Sequence, residues 1–319
     1  MLLPKELAFG IDELKADLPQ SDLARVVAEL SSQYRTKQRT RPQLTRAHRT
    51  AYLLTRLPAT YAVISRVLRE AKLRIPELRI ESMLDLGSGP GTAMWVAAQH
   101  FPNLARVMLI EDSPHWVELG QRLTARSGNS AIRSAEWRAA SISSELPDES
   151  FDLVTSSYVI NELPADERGS VALAAWQRAS KLLVVIEPGT PEGFANIRSI
   201  RQELIRAGAH LAAPCPHANE CPIAAGDWCH FSERLERTSE HRSAKGAELG
   251  YEDEKYSYVV FAREQVALPG TRILRHPRNH SGHVELELCT PEGLKRETIS
   301  RKQGERFKMA KKAEWGDTL

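Results

Sequence analysis

The sequence predicts an α/β fold: a doubly wound, mostly parallel sheet with an antiparallel C-terminal hairpin, a helical N-terminal region and a cysteine-rich insertion. Three observations carry this. From residue 82 onward, short apolar runs alternate with amphipathic stretches long enough for helices, the pattern of parallel strands joined by crossovers. Met83-Leu84-Asp85-Leu86-Gly87-Ser88-Gly89-Pro90-Gly91-Thr92 puts a Gly-rich turn between the first strand and its helix. Beyond residue 250, Tyr256, Tyr258 and Val260, and later Val284, Leu286 and Leu288, alternate with other residues as half-buried strands do.

Taken in order, residues 1 to 78 read as helical. Leu14, Leu18, Leu23, Val26, Val27 and Leu30 recur at spacings near those of a helix face, as do Leu53, Leu54, Leu57, Tyr61, Ile64, Val67 and Leu68. Ser21-Asp22 offers a cap, and Pro58 separates two helices and starts the second. Strands are expected over 82–86, 106–110, 135–139, 151–156 and 181–186. Helices are expected over 93–100, from Pro114, around 165–179 and over 193–208. Pro, Gly and Asp throughout 214–231 exclude a regular element there. Lys255–Arg263 is expected to pair antiparallel with His283–Cys289, with Glu252-Asp253-Glu254 as a solvated strand entry. The implied segments are 1–78, 79–208, 209–254 and 255–319.

The chain has 319 residues, 42% hydrophobic and 26% charged, as expected of a soluble protein with one α/β domain and an appendage. No apolar run approaches the roughly 18–20 residues of a membrane span, so no membrane partner is expected. Lys5, Glu6, Asp12 and Glu13 are wrong for a secretory signal, so a cytosolic setting with reduced thiols is expected. Net charge is only +2 but unevenly spread. Between Tyr34 and Arg69 there are nine Lys/Arg and no acid; between Lys295 and Lys312 there are eight against Glu297 and Glu305. Either run alone reads as a solvated helix face. Two such runs in a near-neutral chain point to a polyanion, with RNA the obvious candidate.

Gly87, Gly89 and Gly91 let backbone approach a nucleotide without Cβ interference. Asp85 ends the first strand, and Glu111 and Asp112 end the second. A carboxylate about twenty residues past the glycines suits ribose hydroxyls, a role that falls to Glu111 with Asp112 as the substitute. The alternating Gly-x-Gly-x-Gly after Leu-Asp-Leu differs from the loop that holds a dinucleotide pyrophosphate. It resembles motif I of class I S-adenosylmethionine-dependent methyltransferases, a Rossmann-like fold, and Phe151–Ser157 resembles their motif IV. That resemblance implies S-adenosylmethionine rather than NAD, with Asp85 near its amino-acid end. Many members carry an acid after the third strand; here the stretch is Trp137-Arg138-Ala139-Ala140-Ser141-Ile142, so Ser141 or backbone takes that place.

No catalytic residue is identified, since methyl transfer needs positioning more than acid–base chemistry. The loop Tyr158–Pro164 lacks the Asn/Asp-Pro-Pro-Tyr pattern for exocyclic amines, and Asn161-Glu162 serve equally well as a helix cap. Pro214-Cys215 looks like the nucleophile of cytosine C5 enzymes but follows the fifth strand's helix, the wrong place. Cys215, Cys221, Cys229 and Cys289 are spaced Cys-x5-Cys-x7-Cys-x59-Cys, without the tight pairs typical of zinc. The Pro, Asp, His and Gly around the first three argue against buried hydrophobes. Both zinc and an iron–sulfur centre fit the spacing, and His217 and His230 are neighbours of the ligands.

Glu187-Pro188-Gly189-Thr190-Pro191, Ala213–His217, Asp227–Phe231, Glu252–Tyr258 and Trp315-Gly316-Asp317 together resemble the methyltransferase-like family of small-ribosomal-subunit assembly factors, found in mitochondria and bacteria. The resemblance covers roughly 45–319. It implies partnership with small-subunit rRNA and ribosomal proteins. It also implies a four-iron–four-sulfur cluster, [4Fe-4S], on Cys215, Cys221, Cys229 and Cys289, with zinc as the alternative. A methyltransferase fold is implied, with methyl transfer itself an open question. The absence of an Arg-rich targeting stretch leads us to expect a bacterial cytoplasm, and the free chain is expected to be a monomer.

Overall fold

The computed structural model describes residues 3–16, 25–29, 45–144, 146–236 and 250–319. Leu18, Leu23, Leu30, the Ser21-Asp22 cap and the basic residues 35, 37, 39 and 41 lie outside these. Packing divides the chain into two units, Met1–Arg66 with Glu81–Ile142 and Glu233–Glu254, and Val67–Ile80 with Ser143–Ser232 and Lys255–Leu319.

The first unit contains α1 (Lys5–Ala16) and α2 (Arg46–Thr55), and the start of α3 (Leu57–Arg74). Leu7, Ile11 and Leu14 form the buried face of α1 at helical spacing. Thr45 caps α2, its hydroxyl accepting from His48 N, and Pro58 occupies the first turn of α3, where no N–H is missed. Then follow β1 (Ser82–Leu86), α4 (Thr92–His100), β2 (Arg106–Glu111), α5 (Pro114–Thr124), α6 (Ser130–Arg133) and β3 (Glu136–Ala139). The strands pair in the order β3-β2-β1, all parallel, with Leu84 opposite Met108 and Leu109 opposite Trp137. β1 and β2 are buried almost throughout, because crossover helices cover both faces of a parallel sheet.

The second unit contains β4 (Phe151–Ser157), α7 (Arg168–Arg178), β5 (Ala179–Pro188), α8 (Pro191–Arg206) and β6 (His210–Ala213). β7 (Phe231–Glu236) and β8 (Tyr251–Ala262) have their first or last residues in the other unit. The order is β4-β5-β8-β6, with β7 also on β8. β4 and β5 are parallel, while β8 inserts antiparallel between β5 and β6. One reversed strand beside the fifth in an otherwise parallel sheet is the class I methyltransferase arrangement. A separate four-stranded antiparallel sheet follows: β9 (Arg272–Ile273), β10 (Arg278–Asn279), β11 (His283–Thr290) and β12 (Gly293–Ser300), backed by α9 (Glu305–Lys312). Ile273, Val284, Leu286, Leu288, Ile299 and Ala310 form its core.

The strand and helix expectations hold to within a few residues at each end. Two readings need correction. An antiparallel C-terminal hairpin is present, but β11 pairs with β12, not with β8. β8 is taken by β5 and β6, because its run Tyr256–Ala262 is buried on both faces and needs neighbours on both edges. Glu254 is not a solvated turn residue: it lies inside β8, 8% exposed, and accepts from Arg56 Nη1 and Nη2 at 2.9 Å each. Arg56 is thereby withdrawn from the basic run counted along the sequence.

Candidate cofactor loop and cysteine cavity

The loop after β1 requires its glycines. Gly87, Gly89 and Gly91 all have positive φ, at 64°, 53° and 84°, a region costly to residues with a Cβ. At Gly91 a Cβ would also stand 3.0 Å from the Trp137 ring. The turn is anchored to the neighbouring strand by Gly87 N and Ser88 N, which donate to Ile110 O at 2.8 and 3.1 Å.

Glu111 lies at the end of β2, 6% exposed, against this turn. Its Oε2 accepts from Gly89 N at 2.9 Å and its Oε1 from Ser113 N at 3.0 Å. Each oxygen keeps a lone pair for a further donor. Burial pushes its carboxyl up to about 7, with Asp112 adding to the rise and the two backbone donors opposing it. Asp85 is buried at 2% exposure one residue before the end of β1. Ala140 N donates to Glu111 O at 3.1 Å, which brings the end of β3 beside the loop, and Ser141 follows with an exposed side chain. The sequence-predicted cofactor residues therefore gather at one end of β1–β3.

Tyr158, directly after β4, has φ 61°, the only non-glycine with positive φ among the described residues. Strained backbone of this kind persists where surroundings fix it, often at functional loops. Behind the loop, fully buried Glu187 accepts from Ile160 N at 3.2 Å and from Asn196 Nδ2 at 3.3 Å. Burial pushes its carboxyl up to about 8.

Cys215, Cys221, Cys229 and Cys289 all line one cavity of the second unit. The first three come from the irregular segment between β6 and β7, and Cys289 from β11. No three ligand atoms among these thiols and nearby described histidines lie within 4.8 Å of one another. Burial and then the neighbouring thiols push Cys289 up to about 12 and Cys229 well above the ordinary thiol value. Thiols so placed resist ionisation unless a cationic centre compensates them.

The charged side chains that line the cavity are all arginines, Arg198, Arg201 and Arg272. Arg201, 3% exposed, donates through Nη2 to His217 O at 2.6 Å, while its Nε and Nη1 have no partner among the described residues. Arg272, also 3% exposed, spends its donors on Pro214 O, Gly316 O and Glu70. His217 Nε2 stands 3.7 Å from Cys289 Sγ. His230 does not line the cavity; it stacks on Trp228 at 5.2 Å and meets Trp315 edge-on at 4.6 Å. Sequence reasoning missed Arg201 and Arg272. A signal for Arg201 existed: it shares the buried face of α8 with Phe194, Ile197, Ile200 and Leu204, where an arginine is out of place.

Residues 46–319 match the family described as "Mitochondrial small ribosomal subunit Rsm22". The chain is 27% identical over 287 residues to "Ribosome assembly protein METTL17, mitochondrial" of Homo sapiens, covering 84% of this chain and 61% of the relative. It is 25% identical over 366 aligned positions to "Rsm22-cox11 tandem protein 2, mitochondrial" of Schizosaccharomyces pombe, covering 96% and 47%. The chain thus spans about half to three-fifths of the length of these curated relatives. Among solved structures, magnesium protoporphyrin IX methyltransferase of Synechocystis with bound SAM is similar at TM-score 0.42 and 11% identity, over 75% of this chain and 97% of that one. With most of its length matched, from α2 to its last residue, this chain belongs to the Rsm22 family.

Proposed function

We propose that this chain is a maturation factor of the small ribosomal subunit that binds rRNA, S-adenosylmethionine and an iron–sulfur cluster. The observation that carries the cluster is the convergence of all four cysteines on one cavity with unpartnered Arg201 donors in its wall. Four thiolates around one zinc would sit about 3.8 Å apart. The wider spread here suits a bulkier centre, and Arg201 suits its negative charge. Cys215, Cys221, Cys229 and Cys289 would hold the cluster, which would join the 214–230 segment to β11. We assign it a structural role, because the sequence carries no cysteine motif typical of radical chemistry.

S-adenosylmethionine would be held by Asp85, Gly87, Gly89, Gly91, Glu111 and Ser141. When bound it supplies an electrophilic methyl group. RNA contact is supported by exposed Arg301, Lys302, Lys311 and Lys312, none with an ion-pair partner among the described residues. Arg296 and Arg306 are instead neutralised by Glu287 and Glu297. Ribosomal proteins are the further partners, and the free chain is a monomer. We retain the segments 1–78, 79–208, 209–254 and 255–319 as its functional parts. The described helices include none long and apolar enough to cross a membrane. Four free cysteines fit a reducing compartment, for which we propose a bacterial cytoplasm; the curated relatives are mitochondrial by name.

Anaerobic purification followed by iron, sulfide and zinc analysis tests the cluster, with four irons and four sulfides per chain expected. One zinc without iron overturns it. Co-sedimentation with immature small subunits tests the partner. A second reading, an active rRNA methyltransferase, is favoured by the strained Tyr158 backbone after β4. Loss of one rRNA methyl group in a deletion strain would establish it.

A further inference from the structure

We propose that His280, His283 and Glu285 form a site for one divalent transition-metal ion of the zinc class, distinct from the cysteine cavity. The three residues sit on the β10–β11 hairpin of the four-stranded sheet. His280 N donates to His283 O at 2.9 Å, which closes the turn. His283 and Glu285 are two apart on β11 and so share a face, opposite buried Val284 and Leu286. The turn brings the His280 ring onto that of His283, with centroids 4.3 Å apart and planes 13° from parallel.

The polar atoms converge. His280 Nε2 is 3.7 Å and His283 Nε2 3.6 Å from the same oxygen, Glu285 Oε1, and all three ligand atoms fall within 4.8 Å of one another. These separations exceed hydrogen bonds, which end near ~3.2 Å. They approach what a single ion imposes: tetrahedral Zn–N and Zn–O bonds of about 2.0–2.1 Å put ligand atoms about 3.4 Å apart. The two distances to Glu285 Oε1 need a contraction of a few tenths of an ångström, and the stacked imidazoles, whose ligand atoms lie within 4.8 Å of each other, must turn toward the ion to complete the set. The other carboxylate oxygen, Oε2, faces Arg278 Nη1 at 3.9 Å, which leaves Oε1 to the imidazoles.

Two neutral imidazoles and one carboxylate suit zinc, copper or nickel, whereas magnesium and calcium prefer oxygen ligands alone. Three protein ligands leave a fourth position open to water or to a donor from a partner. The alternative is a stacked histidine pair that shares a proton with Glu285 and binds no metal.

The test uses full-length, anaerobically purified protein titrated with Co2+ by absorption and with Zn2+ by calorimetry. We expect one equivalent whose cobalt bands lack thiolate charge transfer, which separates it from the cysteines. His283→Ala should weaken that equivalent about 100-fold or more and Glu285→Gln about 10-fold, with thermal melting of the metal-free proteins unchanged. Should His283→Ala perturb folding, His280→Gln serves in its place. Failure to detect a thiolate-free equivalent, or undiminished binding in the folded variants, overturns the site.

Discussion

Arg272 Nη2 donates to Glu70 Oε1 at 2.8 Å, joining β9 to α3 with side-chain exposures of 3% and 10%. The same guanidinium reaches Pro214 O through Nε at 3.0 Å and Gly316 O through Nη1 at 2.6 Å. It therefore binds a helix, the entry to the cysteine segment and the C-terminal Trp315-Gly316-Asp317 turn. Burial would raise the Glu70 carboxyl, but Arg272 and Arg74 outweigh it and hold it below the ordinary range.

Removing this side chain leaves the Pro214 and Gly316 carbonyls without their donor and the buried Glu70 carboxylate with Arg74 alone. Arg272→Ala should cost about 3–5 kcal/mol in chemical denaturation. Arg272→Lys, with one compact charge for three directions, should recover only part of that. A loss within about 0.5 kcal/mol of zero for alanine would mean the clamp is incidental.

In the proposed S-adenosylmethionine site Glu111 would have to be ionised to accept from ribose hydroxyls at full strength, and burial pushes its carboxyl up to about 7. S-adenosylmethionine affinity should therefore fall as pH drops from 8 to 6, by up to about tenfold per unit once the carboxyl is mostly protonated. Glu111→Gln should bind about tenfold more weakly at pH 8 and lose that slope. Calorimetry across this range checks both, and an affinity indifferent to pH and to the substitution would remove Glu111 from the site.

Glu187 makes the opposite kind of pH statement, about stability. Its carboxyl is near 8 in the fold and near 4.5 when unfolded, so the folded state holds the extra proton between those values. The stability carried by the neutral acid is complete below about 4.5 and is lost as pH rises through about 8, at no more than roughly 1.4 kcal/mol per pH unit. Glu187→Gln cannot ionise, so its unfolding free energy should decline less over pH 5 to 8. Equal slopes in the two proteins would count against a protonated Glu187.

The basic face of α9 and the turn before it offers a fourth test. Replacing Lys302, Lys311 and Lys312 by Gln should weaken rRNA binding and reduce the salt slope by roughly 2, as three lost phosphate contacts require. Filter binding from 50 to 300 mM salt reads the slope directly. An unchanged slope would place the RNA elsewhere.

Much of this architecture was legible in the sequence because its signals are local. The alternation of apolar strands with helices, the Gly-x-Gly-x-Gly turn and the proline-rich cysteine segment each follow from neighbouring residues. What was missed depends on distant pairings. β8 and β11 both alternate, and alternation alone does not say which strand each one meets. Glu254 reads as part of an acidic turn until Arg56, 198 residues earlier, is seen to hold it. Arg201 and Arg272 reach the cysteine cavity from α8 and β9, and only the pairing of β9 with β11 brings Arg272 beside Cys289.

The cavity draws three of its thiols from 215–229 and the fourth from β11, sixty residues further along. A ribosome making this chain delivers the first three well before the strand that encloses them. For that interval Cys215, Cys221 and Cys229 are open to oxidants and to one another, and a wrong disulfide among them would bar Cys289 from its place. Reductant present during synthesis, more than reductant added afterwards, should decide how much protein reaches its native state.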